Sequence, residues 1–143
     1  MSPHRLAVVD YVIDDDPQRV DADVVWAFLS TDAYWGRWRT RADVELQLGN
    51  AWRVIGCYHS SDGMVGFARA VSDGVAFAYL ADVFVVHEHR GRGLGGRIVA
   101  AMVEDGPGAK FRWMLHTEDA HDLYRKYGFR EPDHKVMERP SGN

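Results

Sequence analysis

The sequence predicts a mixed α/β fold of the α+β kind, in which a mostly antiparallel sheet contains one parallel pair of strands. Between Trp52 and Val86, three apolar or alternating runs follow one another with only short turns between them, as in an antiparallel meander. After Val86 come a glycine-rich turn, an amphipathic helix and another apolar run, the order that joins two parallel strands.

Length and composition indicate one globular domain over residues 1–143, with 46% hydrophobic residues. The net charge of −4 argues against a general nucleic-acid binder, which needs a basic face, and no membrane span is indicated. Cys57 is the one cysteine and cannot form an internal disulfide. Together with an N-terminus that lacks a signal-peptide pattern, this predicts a cytoplasmic protein.

The first third of the chain predicts one strand and two helices. An apolar run over 6–13 is long enough for a strand. Apolar residues at helical spacing predict a helix that begins at Asp21 or Asp23, either of which is a suitable cap. A second short helix is expected over 43–48.

The meander is expected to have strands over 52–58, 64–71 and 75–86. Asp73-Gly74, a strong hairpin signal, joins the last two. Residues 77–86 are apolar on both faces except at Asp82, as in a central strand that is covered on both sides.

The last third of the chain predicts two helices and two strands. Apolar residues at intervals of three and four predict a helix from Leu94 to Val103. It is followed by a strand over 111–116, a helix over 120–127 and a last strand around 135–138.

The turn over 90–97 has the composition of an anion site. Gly91, Gly93 and Gly95 let the main chain approach a ligand closely, and the free N–H groups at the start of a helix attract an anion. No Lys-Ser or Lys-Thr follows, which excludes a Walker loop, and the elements after the helix do not fit a dinucleotide fold.

Two motifs resemble those of a known family. The stretch 90–95 matches Arg/Gln-x-x-Gly-x-Gly/Ala, and 120–129 reads Ala-x-x-Leu-Tyr-x-Lys-Tyr-Gly-Phe at the expected distance downstream. In both, the sequence resembles the GNAT superfamily of acetyl-CoA-dependent N-acetyltransferases. The resemblance implies a sheet of six to seven strands with a splayed parallel pair, flanked by about four helices.

The resemblance also implies a binding site for acetyl-CoA. Its pantetheine arm is expected between the strands ending at Val86 and Thr117, and its pyrophosphate on the loop amides. Thr117 stands where the family often has asparagine. The expected CoA-binding residues are Phe84, Val85, Val86, Arg90, Gly91, Arg92, Gly93, Leu94, Gly95, Gly96, Arg97, Thr117 and Tyr124.

Acetyl transfer to an amine needs a proton donor and a base, because alkylamines are mostly protonated at neutral pH. In the family, the tyrosine of the Leu-Tyr pair lies by the CoA sulfur, so Tyr124 is the expected acid. Asp82 is the candidate base, since burial without partners raises the pKa of a carboxyl. A satisfied structural carboxylate and a base acting through ordered water remain open.

The histidines give no metal-ligand spacing, so no metal site is predicted, and His87, Glu88 and His89 are expected to face solvent. The aromatic and arginine-rich stretch 34–41 lies, by resemblance, where the family covers its acceptor. It either lines the acceptor pocket or packs on the sheet with its arginines in water. The candidate substrate-binding residues are Tyr34, Trp35, Arg37 and Trp38.

The predicted function is acetyl transfer from acetyl-CoA to a primary amine of a small molecule or peptide, by a monomer or homodimer that needs neither nucleic acid nor membrane. The alternative is a CoA-binding sensor or pseudoenzyme that has lost the chemistry.

Overall fold

Five strands form a single sheet in the computed structural model, which describes residues 10–33 and 38–142. Neighbouring strands follow one another in chain order and are antiparallel, except for the parallel last pair. The predicted meander and parallel pair are therefore confirmed. The strands are β1 (Tyr11–Asp14), β2 (Arg53–His59), β3 (Gly63–Ser72), β4 (Phe77–Val85) and β5 (Arg112–Met114).

The expected count of six to seven strands is wrong for the described residues, which form five. The strand predicted around 135–138 is missing because the chain turns back at Asp133, which accepts hydrogen bonds from Lys135 N–H at 2.9 Å and from Val136 N–H at 3.3 Å. At the other end, residues 6–9 of the first predicted strand lie outside the described part of the chain.

Four α-helices flank the sheet in the described residues, as predicted. Asp21 caps the first, accepting from the N–H groups of Asp23 and Val24. Thr40 caps the second in a reciprocal capping box with Asp43. The helices are α1 (Ala22–Thr31), α2 (Arg41–Asn50), α3 (Leu94–Val103) and α4 (His121–Arg125).

The helices cover both faces of the sheet. Ile98 and Met102 of α3 are fully buried in one apolar cluster together with Leu80 of β4. On the opposite face, Leu29 of α1 packs in a second cluster with Phe84 of β4. No helix in the described part of the chain is long and apolar enough to cross a bilayer.

Two features of β4 shape the site. Its pairing with β5 covers only Phe77 to Tyr79, whereas the strand continues to Val85, so the two strands part. A bulge adds one residue to β4 relative to β3, and within it Asp82 has a φ of 55°. The bulge turns the Asp82 carboxylate towards the face covered by α1 and α2.

Candidate active site

The loop before α3 presents unpaired main-chain N–H groups. Gly91 and Gly93 have φ of 79° and 74°, in the left-handed region that side chains resist, although a Cβ at either would meet no atom within 4 Å. Gly93 caps α3, and the first hydrogen bond within the helix runs from Arg97 N–H to Gly93 O. The N–H groups between them therefore lack helical partners and form an anion site.

The loop arginines have different contacts. Arg90 Nε donates to the carbonyl oxygen of Val85 at 3.0 Å and braces the end of β4. Arg92 donates to the hydroxyl of Tyr11 in β1 at 2.7 Å. Arg97 lies one turn into α3 and lines a surface groove beside Ile13.

His89 is buried, so the expectation that it faces solvent is wrong, whereas His87 is exposed as predicted. The Nε2 atom of His89 lies 2.7 Å from Asp62 Oδ2, and the Nδ1 atom of His89 lies 2.7 Å from the Tyr11 hydroxyl. Because a carboxylate only accepts, Nε2 carries the proton of the neutral ring and Nδ1 accepts from Tyr11. The order of donation is therefore Arg92 to Tyr11 to His89 to Asp62.

The same corner brings together a group of side chains that the sequence did not predict to meet. One ligand atom each of His59, Asp62 and His89 lies within 4.8 Å of the other two. Hydrogen bonds account for this group, since both nitrogens of His89 are engaged and His59 Nδ1 accepts from the N–H groups of Ser61 and Asp62, each at 3.2 Å.

The β5 side of β4 is open beyond Tyr79. Val86 N–H donates to Val65 O at 2.8 Å and is turned towards β3. Since main-chain groups alternate along a strand, the N–H and carbonyl of Val85 point to the opposite edge, into the space where β4 and β5 part.

Helix α4 lies against the start of α3. Tyr124 is 9% exposed and its ring meets Phe129 edge-on at 5.7 Å between centroids. The Tyr127 hydroxyl lies 2.5 Å from where a Cβ on Gly96 would be, so this glycine allows the approach. Thr117 Oγ1 accepts from Ala120 N–H at 3.1 Å and helps to start α4.

A buried ion-pair cluster lies on the other side of the parting strands. Arg39 donates to both oxygens of Asp82, at 2.8 Å each, and Arg69 Nε donates to Asp82 Oδ2 at 2.7 Å. Arg39 also donates to Gln47 Oε1 at 2.7 Å. These three charged side chains, Arg39, Asp82 and Arg69, are called the triad below.

The triad corrects the expected direction of the Asp82 pKa. Burial raises this pKa, but the hydrogen bonds and charges of Arg39 and Arg69 outweigh burial and hold it below its usual value. Neither arginine was predicted as a partner of Asp82. The signal was present, because a lone carboxylate in an apolar strand needs a counter-charge.

A second polar chain lies next to the triad. The Tyr79 hydroxyl is hydrogen-bonded to His116 Nδ1, and His116 Nε2 to Glu138. Trp113 and Leu115 pack on the α3 side, so His116 faces the α1 and α2 side, just beyond the end of β5. Burial and then the charge of Glu138 raise the pKa of Tyr79.

Of the candidate acceptor residues, Tyr34, Trp35 and Arg37 lie outside the described part of the chain. Trp38 is 53% exposed, and the Arg39 guanidinium lies 5.7 Å from its ring centroid. The first residue of α2, Arg41, instead pairs at the surface with two acidic side chains, Asp23 and Glu45.

Comparisons with known proteins agree with this geometry. A sequence profile described as an acetyltransferase (GNAT) domain matches residues 50–131. A crystal structure of a Xanthomonas campestris pv. campestris protein, assigned as a GNAT-family acetyltransferase, is 34% identical, with a TM-score of 0.84 over 92% of this chain and 93% of that chain. A curated Gibberella zeae protein, provisionally named an acetyltransferase, is 25% identical over 142 residues, covering 85% of this chain and 80% of the relative.

A further structural neighbour shares the fold. It is an acetyltransferase from Clostridium acetobutylicum, assigned by its sequence and crystallised with acetyl-CoA. Its identity is 13% and its TM-score 0.63, over 90% of this chain and 96% of that chain.

Proposed function

Because this chain belongs to the GNAT family of acetyltransferases, we propose that it transfers an acetyl group from acetyl-CoA to the primary amine of a small molecule or peptide. One observation carries the proposal: the open edge of β4 leads directly to the unpaired N–H groups at the start of α3. The extended pantetheine arm of acetyl-CoA, which ends in a pyrophosphate, fits this arrangement of main-chain donors along β4 and at the start of α3.

The residues that hold the CoA moiety follow from this arrangement. The Val85 carbonyl oxygen accepts from Arg90 Nε and has a second lone pair for an amide of the arm. The N–H groups of Leu94, Gly95 and Gly96 bind the pyrophosphate. When bound, acetyl-CoA supplies the thioester carbonyl that the amine attacks. The Val85 N–H, on the open edge, is the donor for the developing oxyanion.

Tyr124 is the proposed proton donor to the departing thiolate. It is nine-tenths buried and fixed by the ring of Phe129. Helix α4 lies against the glycine loop, since Leu123 reaches to 3.8 Å from the Cβ position of Gly95. The proposed donor therefore belongs to a helix that packs against the glycine loop.

For the amine proton, we propose a route through Tyr79 and His116 in place of Asp82. A carboxylate held by two guanidinium groups is a weak base, so the role of Asp82 is to position Arg39 and Arg69. In the neutral His116 ring, Nε2–H donates to Glu138 and Nδ1 accepts from Tyr79. The amine proton passes to the Tyr79 oxygen while the Tyr79 proton passes to His116, where Glu138 stabilises the imidazolium.

The test is a thiol-release assay with acetyl-CoA and a panel of amino acids, polyamines, aminoglycosides and peptides, run on the wild type and Tyr124→Phe. Turnover should fall by about 10²- to 10⁴-fold in the variant, the usual contribution of a general acid, with CoA affinity unchanged in calorimetry. Tyr58→Phe is the matched control, because the buried Tyr58 hydroxyl has no hydrogen-bond partner among the described residues and its loss should leave turnover intact.

Equal turnover in Tyr124→Phe and wild type would refute the role of Tyr124. Binding of CoA without acetylation of any acceptor would favour the non-catalytic sensor. Absence of CoA binding would contradict the proposed function altogether.

A further inference from the structure

We propose that the acceptor carries a carboxylate a few bonds from its amine, and that the guanidinium of Arg69 binds this carboxylate. The inference rests on the proposed function and narrows it to an acceptor of the amino-acid type. It is based on three observations: the Nη1 and Nη2 donors of Arg69, the net charge of the triad, and the distance from Arg69 to Tyr79.

Arg69 is anchored at one nitrogen and open at the other two. It is 9% exposed, and Nε donates to Asp82 Oδ2 at 2.7 Å. Nη1 and Nη2 make no hydrogen bond to any described residue. The Arg69 side chain as a whole is 11% exposed. A guanidinium fixed at Nε presents its two Nη groups as a fork that fits a carboxylate.

The three side chains of the triad sum to one positive charge. Two guanidinium groups share the single carboxylate of Asp82, and the further partner of Arg39 is the neutral Gln47. Arg39 Nε is buried and has no hydrogen-bond partner in the part of the chain that the structure describes. Residues 34–37 contain no Asp or Glu that would balance the charge. A bound anion lowers the cost of burying this excess charge.

Arg69 also lies at the right place relative to the proposed proton route. Ala68 and Ala70 face α3, so the side chain of Arg69 between them faces the other side of the sheet, as does His116. Arg69 pairs with Ala81, which makes Tyr79 its diagonal cross-strand neighbour. Diagonal neighbours are separated by about 7–8 Å. One small acceptor molecule can therefore place its amine at Tyr79 and its carboxylate at Arg69 at the same time.

The experiment compares matched acceptors that differ only in charge: glycine with glycinamide, and β-alanine with β-alaninamide, in the thiol-release assay. The wild type should prefer each acid over its amide by about 10- to 100-fold in kcat/KM, the effect of hydrogen bonds to a charged group. The amine of an amide is less basic and more easily deprotonated, so basicity alone would give the opposite preference.

Arg69→Gln should abolish this preference, mainly by raising the KM of the acid. Arg69→Lys keeps a positive charge beside Asp82, so it tests the role of Arg69 even if Arg69→Gln fails to fold. Arg41→Gln is the matched control, because Arg41 is an exposed arginine that pairs with Asp23 and Glu45. It should leave the preference unchanged. Circular dichroism and CoA affinity verify that each variant is folded.

The inference would be overturned if the wild type had the same kcat/KM for the acids and for their amides. It would also be overturned if Arg69→Lys lowered kcat/KM equally for both. In either case the proposed function would still stand. If the wild type acetylates other amines of the panel but none of these acids, the inference is again wrong. If no amine is acetylated at all, the proposed function fails, and the acceptor assignment fails with it.

Discussion

Asp82→Asn is the most informative perturbation of the fold, because Asp82 is the single carboxylate between two buried guanidinium groups. Its side chain is 4% exposed, and among the described residues it accepts two hydrogen bonds from Arg39 and one from Arg69. Asparagine has the same shape but one acceptor oxygen, and its NH₂ group donates. In at least one contact the amide NH₂ group of the asparagine therefore faces a guanidinium N–H group, and two donors oppose each other. Both arginines also lose their counter-charge.

The expected cost follows from this geometry. Removing one partner of a buried ion pair costs about 3–5 kcal/mol, because it leaves an uncompensated buried charge. A domain typically has about 5–15 kcal/mol of unfolding free energy, so the loss is a large share of the total. For a chain of this size the midpoint of thermal unfolding should fall by roughly 10 °C.

Urea unfolding followed by tryptophan fluorescence at pH 7 measures this loss. Asp23→Asn is the matched control, since Asp23 pairs with Arg41 at the surface and its side chain is 81% exposed. This control should change the unfolding free energy by no more than about 0.5 kcal/mol. A change below about 1 kcal/mol in Asp82→Asn would refute the view that the triad holds this side of the sheet together.

The pH dependence gives an independent check on the same residue. Since the pKa of Asp82 is lowered in the folded state, the unfolded chain binds the proton first as pH falls. The contribution of Asp82 is full above the unfolded pKa of about 3.9 and is lost as pH falls through the lower folded value. Asp82→Asn should therefore lose less stability than the wild type on acidification below about pH 4.

Two further predictions concern the polar chains on either side of the strand opening. His116→Gln should lower kcat for alkylamine acceptors by about 10²-fold or more near neutral pH, with CoA affinity unchanged; an unaltered kcat would show that the proton does not pass through His116. Tyr11→Phe removes the hydroxyl that accepts from Arg92 and donates to His89, so the Kd for CoA in calorimetry should rise by about 5- to 10-fold, the value of one hydrogen bond. Pantetheine, which lacks the pyrophosphate, is the control ligand and should bind the wild type and the variant equally.

Local patterns were sufficient to predict the elements around the proposed cofactor site. A helix of about three turns was predicted from the apolar positions between Leu94 and Val103, and the structure has a helix there. Asp21, one of the two predicted caps, is the cap of α1. Gly93 takes a left-handed conformation, which is open to it because it has no Cβ. These features depend on residues within a few positions of one another, so they are encoded in the spacing of apolar, capping and glycine residues.

Long-range contacts were not predictable in the same way. The predicted strand around 135–138 had an acceptable composition, but Asp133 turns the chain and Glu138 bonds His116 instead. His89 lies in a loop composition that favours solvent, yet Tyr11 and Asp62 bury it from distant parts of the chain. Burial of a polar side chain depends on partners that sequence position does not reveal.

The sequence by itself therefore determined the helices, the meander and the glycine-rich turn before α3, because helical period, strand alternation and glycine conformation are local properties. Only the tertiary structure decided the state of Asp82. The sequence indicated a buried carboxylate with a raised pKa, whereas Arg39 and Arg69 lower it from 43 and 13 residues away along the chain. The sign of a pKa shift depends on which charges lie within a few ångströms, and the folding of the chain sets those distances.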